Sequence, residues 1–499
     1  MKRPFLFTGC AALTASFLAP DKSPWMIAVF LIVCCAACIL LMVKDVSQIY
    51  KGAVVALVFI FITLRMVSAI NQIETDMLSL AGRTTKITGR VTKIIRDEDN
   101  YSLYGIKVEE SSIPAAVNET VKASVFYNAG VSAGDRVTAT VVFEETPLKY
   151  KLSDFSKGYY HSCEIQKVSV LERDSLTVWS IAHRLRKGIA KSIEMSGGAQ
   201  ATALLKALII GDTSEVSPDF MQSVKETGVS HMLVVSGMHL GIVCGMLMRA
   251  LGNKTGRVAS ALIGIAAVGF IAIVCLFHVS VLRASIAYFV MLFGKLIFRN
   301  ADSLSSLGFG MTVAVFAFPY IFYDAAFMLS VTATFAVIYP GKMLTDIVSF
   351  DRFGKMGVVY TYLWDTFMIS LSALFCTLPV VAYYFGFVSA VAPITNLAVT
   401  FAINIALILG AIATVVYFIP FVGVFCCVPL YFGAGIFIYY FIFAINFIAS
   451  FVFDVINIRE EENIYCFLIS ISYILLVKTV CVLINKRKEK MLSAQRQDP

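Results

Sequence analysis

The feature that most constrains this chain is its C-terminal half, where apolar residues continue almost without interruption from 229 to 484. A helix needs about 20 apolar residues to cross the hydrocarbon core of a bilayer, so this half is long enough for several crossings. Across all 499 residues only 15% are charged, compared with about 25% in soluble globular proteins. The sequence therefore predicts a polytopic α-helical membrane protein and excludes a soluble enzyme.

Candidate membrane spans follow from the apolar segments and from the polar residues that separate them. In the N-terminal part they lie at 5–19, 25–43 and 53–70. Prolines predict kinks or breaks in such spans, and here they are Pro319, Pro340, Pro379, Pro393 and Pro420. The candidate spans of the C-terminal half are 229–251, 258–277, 279–298, 306–323, 325–340, 358–386, 392–418, 423–452 and 463–484.

Basic residues at the ends of the chain predict its topology. Lys2 and Arg3 place the N-terminus in the cytoplasm, because basic residues that flank a span stay on that side of the membrane. The apolar stretch that follows them predicts an uncleaved first helix. We group 1–70 as N-terminal transmembrane helices, which leaves residue 71 outside, and 485–499 as a basic cytoplasmic tail.

Residues 71–174 show a different pattern, in which apolar and polar residues alternate over short stretches. Such alternation is typical of half-buried strands. Five short strands favour a small closed barrel, with an OB-fold as the leading candidate. The sequence predicts a small all-β (OB-like) extracytoplasmic barrel inserted between membrane helices, with strands at 84–96, 101–109, 121–128, 135–144 and 159–170.

The aromatic residues of this segment have two alternative roles. Exposed rings can stack on the bases of a single nucleic-acid strand, whereas other rings fill the core or rim of the barrel. The core or rim role is favoured for most of them. The candidates for base stacking are Tyr101, Tyr104, Tyr127 and Tyr159.

The net charge of +8 is local, since residues 1–3, 182–194 and 486–499 carry the whole excess. A globally basic nucleic-acid-binding surface is therefore excluded. Residues 175–195 have the apolar period of an amphipathic helix at a membrane interface. Its basic residues bind either lipid headgroups, which the charge alone favours, or a phosphodiester backbone at the mouth of a pore. They are Arg184, Arg186, Lys187 and Lys191.

A second short helix is predicted after the basic one. Ser217 and Pro218 form the pattern of an N-cap followed by a first-turn proline, and Gly228 is where that helix is expected to end. We group 175–228 as amphipathic interfacial helices and 229–484 as a multi-helix membrane domain.

The most unusual polar group in an apolar setting consists of His231, Ser236, Gly237 and His239. In one continuous helix both histidines would lie near the same face, beside Ser236. Polar residues inside a membrane are costly and usually face a solvated path or one another. Three interpretations stay open: a polar cluster that packs helices and lines such a path, which is favoured; a Ser236–His239 nucleophile and base; and a two-histidine metal site.

Further polar residues occur inside the predicted spans. Arg283 either pairs with Asp302, Asp324 or Asp365, or meets an anion in transit, and Asn396 is a further polar candidate. The sequence contains no Gly-x4-Gly-Lys-Ser/Thr motif and no string of metal ligands. We therefore predict no built-in ATPase, no cofactor and no metal.

Several of these residues lie in strings that resemble the competence domain of ComEC-type DNA-uptake channels. The central string runs from Thr227 to His239 and follows a second match at Ala207 to Asp212. The N-terminal helices followed by an OB-like barrel are also similar to that family. Shorter matches follow in order at Arg283-Ala284, Asp302-Ser303-Leu304, Pro319-Tyr320, 324–330, 377–379, 384–386 and Asn396-Leu397.

The resemblance implies a channel in the bacterial cytoplasmic (inner) membrane that conducts single-stranded DNA during natural transformation, with both termini cytoplasmic. It also implies an extracytoplasmic DNA receptor, a cytoplasmic helicase-like ATPase and a separate nuclease as partners. The metallo-β-lactamase-like domain that many members carry has no counterpart in the 499 residues, so no enzymatic activity is expected of them. The conduit candidates are His231, Ser236, Gly237, His239, Arg283, Asp302, Asp324 and Asn396.

Two alternatives to the conduit come from other functional classes. One is an intramembrane serine hydrolase that uses Ser236 and His239. The other is a membrane relic that transports nothing.

Overall fold

The computed structural model divides the chain into two compact units. The first comprises Met1–Gly188 and Asn253–Phe327, and the second comprises Ile189–Gly252 and Met328–Pro499. The predictions at Lys2, Arg3 and 25–43 lie outside the described residues. Those described are 8–10, 12–13, 46–98, 101–127, 129–144, 148–173, 178–233, 235, 237–251, 256–276, 279–296, 302–348, 350, 353–421, 423–451 and 456–495.

The first unit contains the predicted barrel. Its strands are β1 (Thr84–Glu98), β2 (Tyr101–Ser111), β3 (Thr120–Val125), β4 (Arg136–Glu144) and β5 (His161–Glu172). The sheet closes in the order β1-β2-β3-β5-β4, with β4 paired back to β1. All pairs are antiparallel except β3 with β5. This is the strand order of an OB-fold, and it confirms the predicted barrel.

The barrel closes because alternate side chains point into one core. In β3, Val121, Ala123 and Val125 are buried and the residues between them are half-buried. Gly89 lies where β1 crosses closely over β2, and a Cβ there would lie 2.5 Å from the Lys107 carbonyl oxygen. Larger residues would not fit this crossing, so the glycine permits the bend that closes the sheet.

Two helices cover the barrel. Helix α1 (Val46–Leu80) has 35 residues and continues past the predicted span 53–70, so that Leu80 joins the barrel core. Helix α2 (Leu148–Ser156) connects β4 to β5. In α2, the Asp154 carboxylate forms an ion pair with Lys122 Nζ at 2.7 Å, which ties the helix to β3.

An aromatic cluster joins α2 to a later segment of the first unit. The ring centroids of Phe155 and Tyr320 are 5.1 Å apart, and those of Phe155 and Tyr160 are 5.7 Å apart. Tyr320 is only 3% exposed. The aromatic stretch from Phe155 to Tyr160 therefore packs inside the unit.

The basic helix and three apolar helices complete the elements of the first unit. Helix α3 (Val178–Ile193) forms where 175–195 was predicted and continues into the second unit. The apolar helices of this unit are α8 (Arg257–Val274), α9 (Val279–Leu296) and α10 (Ser303–Ala317), which follow α4–α7 of the second unit in the chain.

The second unit begins with short helices. Helix α4 (Ala199–Ile210) is followed by α5 (Pro218–Glu226), α6 (Ser230–Leu233) and α7 (Gly237–Leu251). The predicted N-cap is confirmed, because Ser217 Oγ accepts from the Phe220 N–H at 3.4 Å. Gly228 has a φ of +77°, which ends α5 near the predicted position.

The rest of the second unit consists mostly of long apolar helices. They are α11 (Ala325–Ala336), α12 (Lys342–Thr345), α13 (Lys355–Phe385), α14 (Ala392–Tyr417), α15 (Gly423–Ser450) and α16 (Asn463–Gln495), with a short strand pair β6 (Phe387–Val388) and β7 (Ile456–Asn457). Within the described part of the chain, five segments are long and apolar enough to cross a membrane: Ala325–Thr345, Lys355–Phe385, Ala392–Tyr417, Gly423–Ser450 and Asn463–Ile484.

The prolines differ in their effect on these helices. Pro319 and Pro420 lie between helices, and Pro340 lies in a π-helical turn between α11 and α12. Pro379 lies inside α13. Pro393 lies in the first turn of α14, where a proline needs no hydrogen-bond donor. The prediction of a kink at Pro393 was therefore wrong, since this proline begins a helix.

Candidate functional site

The segment from Gly228 to His239 is anchored by a close contact with the start of α14. A Cβ at Gly228 would lie 2.6 Å from Ala392 Cβ and 2.9 Å from Ser389 Cβ. Its φ of +77° is also one that other residues rarely adopt. Both the backbone angle and the space require glycine, so this residue fixes where the histidine segment begins.

The two histidines lie on separate helices. His231 belongs to α6, which has only 4 residues, and His239 belongs to α7. The prediction that they share one helical face was wrong, because the helix is interrupted between Leu233 and Gly237. Ser236 lies outside the described residues, so its pairing with His239 stays a prediction.

Their environments also differ. His231 is exposed and hydrogen-bonds to the Gly228 backbone. His239 is 3% exposed, hydrogen-bonds to the Met232 backbone and interacts electrostatically with His231. One imidazole is therefore accessible and the other is buried. Gly237 begins the helix that carries the buried one.

Asn396 lies one turn into α14, in the same unit as both histidines. Its Nδ2 donates to Ser370 Oγ of α13 at 2.6 Å. Its Oδ1 is buried and has no hydrogen-bond partner among the residues that the structure describes. The side chain thus connects two membrane-length helices and retains an acceptor for a further donor.

Two acidic candidates of the first unit are helix caps. Asp302 Oδ2 accepts from the backbone N–H of Ser305 at 2.9 Å at the start of α10. Asp324 is 4% exposed, and its Oδ1 accepts from the backbone N–H of Phe327. Both carboxylates satisfy donors that a helix end leaves without partners. Arg283 lies in α9, and its side chain is outside the described atoms, so its pairing stays a prediction.

The basic helix contributes to a cavity of about 270 Å³ in the first unit. One wall is the loop between β3 and β4, and the opposite wall is the first half of α3. Gly134 permits this approach, because a Cβ there would lie 3.0 Å from Ser180 Cβ. The charged and polar side chains of the lining are Ser132, Asp135, Arg173, Ser180, His183, Arg184 and Lys187. Arg186 is half-buried and Lys191 exposed, and neither lines this cavity.

The aromatic candidates of the barrel separate into core and surface. Tyr104 is 2% exposed and belongs to the barrel core, so its assignment to base stacking was wrong. Side chains alternate between the two faces of a strand, and Tyr104 lies on the face of β2 that points into the barrel. Tyr159 packs over Gly105, and burial raises the pKa of its hydroxyl to about 12. At the surface, Tyr101 lies 5.4 Å from the Phe126 ring, and Tyr127 is exposed.

Lys206 is a buried charge that the sequence pattern did not single out. It is 6% exposed within the apolar helix α4. Its Nζ donates to Glu215 at 2.7 Å and to Glu194 at 3.4 Å. Burial would lower the pKa of its ammonium, but the two carboxylates outweigh burial and raise it. A lysine in an otherwise apolar stretch was the signal that could have indicated this ion pair.

Metal binding gains no support from the described residues. Within them, no group of three or more histidine, cysteine, aspartate or glutamate side chains lies close enough to hold a metal ion. The two-histidine interpretation thus lacks further ligands in the described part of the chain.

Together, the barrel and the long apolar helices define a polytopic helical membrane protein with an inserted β-barrel. Residues 208–487 match the family described as "Competence protein". Because this match covers more than half of the chain, the protein belongs to the competence protein family. The matched range contains the histidine segment and the five membrane-length helices that occur in the described part of the chain.

Two relatives match parts of the chain. ComE operon protein 3 of Bacillus subtilis (strain 168) is 24% identical over 257 residues, which are 51% of this chain and 31% of that protein. An uncharacterized protein of Aquifex aeolicus (strain VF5) is 31% identical over 180 residues, which are 36% of this chain and 39% of that protein. The matches thus span well under half of either relative. No solved structure matches the chain.

Proposed function

We propose that this protein is a channel in the bacterial cytoplasmic membrane that conducts single-stranded DNA inward during natural transformation. The observation that carries the proposal is the family match, which includes the five membrane-length helices found among the described residues and the short helix that carries His231. Family membership supports a role in competence, and the physical features below support the conduit.

A DNA strand needs a polar route through protein, because a bare phosphate in hydrocarbon is prohibitively costly. Irregular backbone inside a membrane domain is tolerated where it lines such a route. Val235, between α6 and α7, is non-helical backbone of this kind, and His231 in α6, just before it, is exposed. Asn396, with its unpartnered Oδ1, is a second polar group of the same unit.

The direction of transport follows from the predicted topology. We place the barrel on the outer side and both termini in the cytoplasm, where basic flanks of membrane helices usually lie. A DNA receptor would then deliver DNA to the barrel, a cytoplasmic helicase-like ATPase would pull it, and a separate nuclease would remove the other strand. In this arrangement the chain itself provides passage only.

The test is uptake of fluorescent DNA by cells that carry His231→Ala. Because His231 is exposed, its replacement should leave folding intact and reduce uptake at least tenfold, by removing a polar group from the route. The matched control is Thr479→Ala, which removes an exposed hydroxyl on α16 that bonds only to its own helix, at Leu475 O. Protein level is measured by immunoblotting of membranes.

Unchanged uptake in His231→Ala would remove this residue from the route. Unchanged uptake on deletion of the whole gene would contradict the proposed function itself and favour the relic. If a fluorophosphonate probe labelled the chain at Ser236, the hydrolase alternative would replace the conduit at this site.

A further inference from the structure

The cavity between the barrel and α3 is lined by an excess of positive charge. Arg173, Arg184 and Lys187 contribute three cationic side chains to its wall, and Asp135 contributes a carboxylate. The carboxylate is 4% exposed, and its Oδ2 accepts from the Ser132 N–H at 2.9 Å. Asp135 therefore holds the loop in shape, while the cations give the cavity its net charge.

A buried imidazole nitrogen faces no protein partner in this wall. Nδ1 of His183 is buried and has no hydrogen-bond partner among the residues that the structure describes. Burial, together with Arg186 and Lys187, lowers the pKa of His183 below its ordinary value. The imidazole is thus neutral near pH 7, and a neutral imidazole can donate one hydrogen bond to an oxyanion. An unsatisfied buried polar atom needs a partner from outside the protein, such as a ligand or an ordered water.

The size of the cavity suits a small anion. A volume of about 270 Å³ compares with about 30 Å³ for one water molecule in the liquid. A tetrahedral phosphate group therefore fits with several waters. Arginine and lysine are the side chains that bind phosphate oxygens most strongly.

The loop that forms one wall also carries exposed aromatic rings. Phe126 is 63% exposed and Tyr127 is 41% exposed, and both precede Gly130, the first residue of the cavity wall. Extended chain spans at most about 11 Å over the three residues from Tyr127 to Gly130, and about 14 Å over the four from Phe126. Aromatic rings beside a cationic groove are the combination that holds single-stranded nucleic acid, in which bases stack and phosphates pair with cations. A lipid headgroup has no base to stack on such rings.

We infer that this cavity binds one backbone phosphate of a single DNA strand, while neighbouring bases stack on Phe126 and Tyr127. Arg184 and Lys187 supply the charge, and His183 donates through Nδ1. The inference rests on the proposed function, and it assigns to the basic helix a defined phosphate site in addition to its place at the membrane.

The experiment measures binding of a fluorescein-labelled oligothymidylate of about 20 nucleotides to the full chain in phosphatidylcholine nanodiscs. Anisotropy titrations between about 50 and 300 mM KCl give the slope of log affinity against log salt concentration. Arg184→Ala and Lys187→Ala should each weaken binding about tenfold and reduce the slope by about 0.7, the value for one lost contact to a single strand. The matched control is Lys167→Ala, which removes the same charge from an exposed position of β5 outside the cavity.

The slope of log affinity against log salt concentration distinguishes loss of a phosphate contact from a folding defect. A folding defect would weaken binding by the same factor at every salt concentration and leave the slope unchanged. Equal slopes in wild type, Arg184→Ala and Lys187→Ala would overturn the inference, and so would an equal loss of affinity in Lys167→Ala. Displacement of the oligonucleotide by short-chain phosphatidylglycerol from wild type but not from Arg184→Ala would reassign the cavity to lipid headgroups. DNA uptake by a strain that lacks the gene distinguishes the two proposals. If deletion abolishes uptake while the salt slopes of the variants are unchanged, the phosphate site in the cavity is contradicted and the proposed channel function is not.

Discussion

At the scale of single residues, the histidine segment depends on Gly228. The residue combines a left-handed backbone angle with a contact that leaves no room for a methyl group. The sequence predicted its role at a helix end, because glycine is the usual residue there. It did not predict the contact with Ala392 and Ser389, since that contact depends on how distant helices pack.

Replacing Gly228 with alanine should destabilise the second unit by about 2–5 kcal/mol. The left-handed angle costs about 1–2 kcal/mol for an ordinary residue, and the overpacked methyl group adds about 1–3 kcal/mol. The matched control is Gly245→Ala in α7, where a Cβ would meet no atom within 4 Å and alanine should stabilise the helix by about 0.5–1 kcal/mol. Melting temperatures in detergent measure the stability of both variants. Equal melting temperatures for Gly228→Ala and Gly245→Ala would contradict the steric argument.

At the scale of elements, the sequence predicted the barrel better than the membrane helices. Alternation with a period of two residues identifies a strand wherever one face is buried, and all five strands form where it occurs. Helix α2 was missed, since Leu148–Ser156 has only 9 residues, which is shorter than the window needed to establish a helical period. The interruption after Leu233 was also missed, because Val234 and Val235 are apolar and carry no signal of a helix end.

The barrel should lose stability in acid through one histidine. His161 begins β5, is 5% exposed and lies 6.3 Å from the Phe143 ring. Burial lowers its pKa to about 4, compared with about 6.5 in an unfolded chain. The unfolded state therefore binds the proton first, so stability is complete above about pH 6.5 and falls as the pH decreases toward 4. The difference between these two pKa values corresponds to a loss of up to about 3 kcal/mol in the free energy of unfolding.

The barrel fragment 83–173 allows this loss to be measured, because its core consists almost entirely of its own residues. Urea unfolding of the fragment, followed by circular dichroism at each pH, gives its free energy of unfolding. His161→Phe should remove the histidine's share of the pH dependence, whereas Lys167→Gln, at an exposed position of the same strand, should retain it. The same decline in wild type and His161→Phe would contradict the assignment.

At the scale of the whole molecule, the sequence indicated the membrane class and the family string but not the cavity. The apolar content and the string from Thr227 to His239 are local properties that can be read along the chain. The cavity unites Asp135 with His183, which are far apart in sequence and meet only when the barrel and α3 fold. No spacing rule predicts such a contact. This is why Arg173 and His183 were absent from the predicted site residues.

The topology of the whole chain remains a prediction, and it determines whether the barrel meets incoming DNA. If the barrel lies outside, a cysteine at Lys167, which is exposed on β5, should react with an impermeant biotin-maleimide in intact cells. A cysteine at Lys486, exposed near the end of α16, should react only after the membrane is permeabilised, because basic flanks remain cytoplasmic. Labelling of the unchanged chain gives the background of its natural cysteines. The reverse pattern would place the barrel in the cytoplasm, where its aromatic and basic groups would meet DNA after passage and not before it.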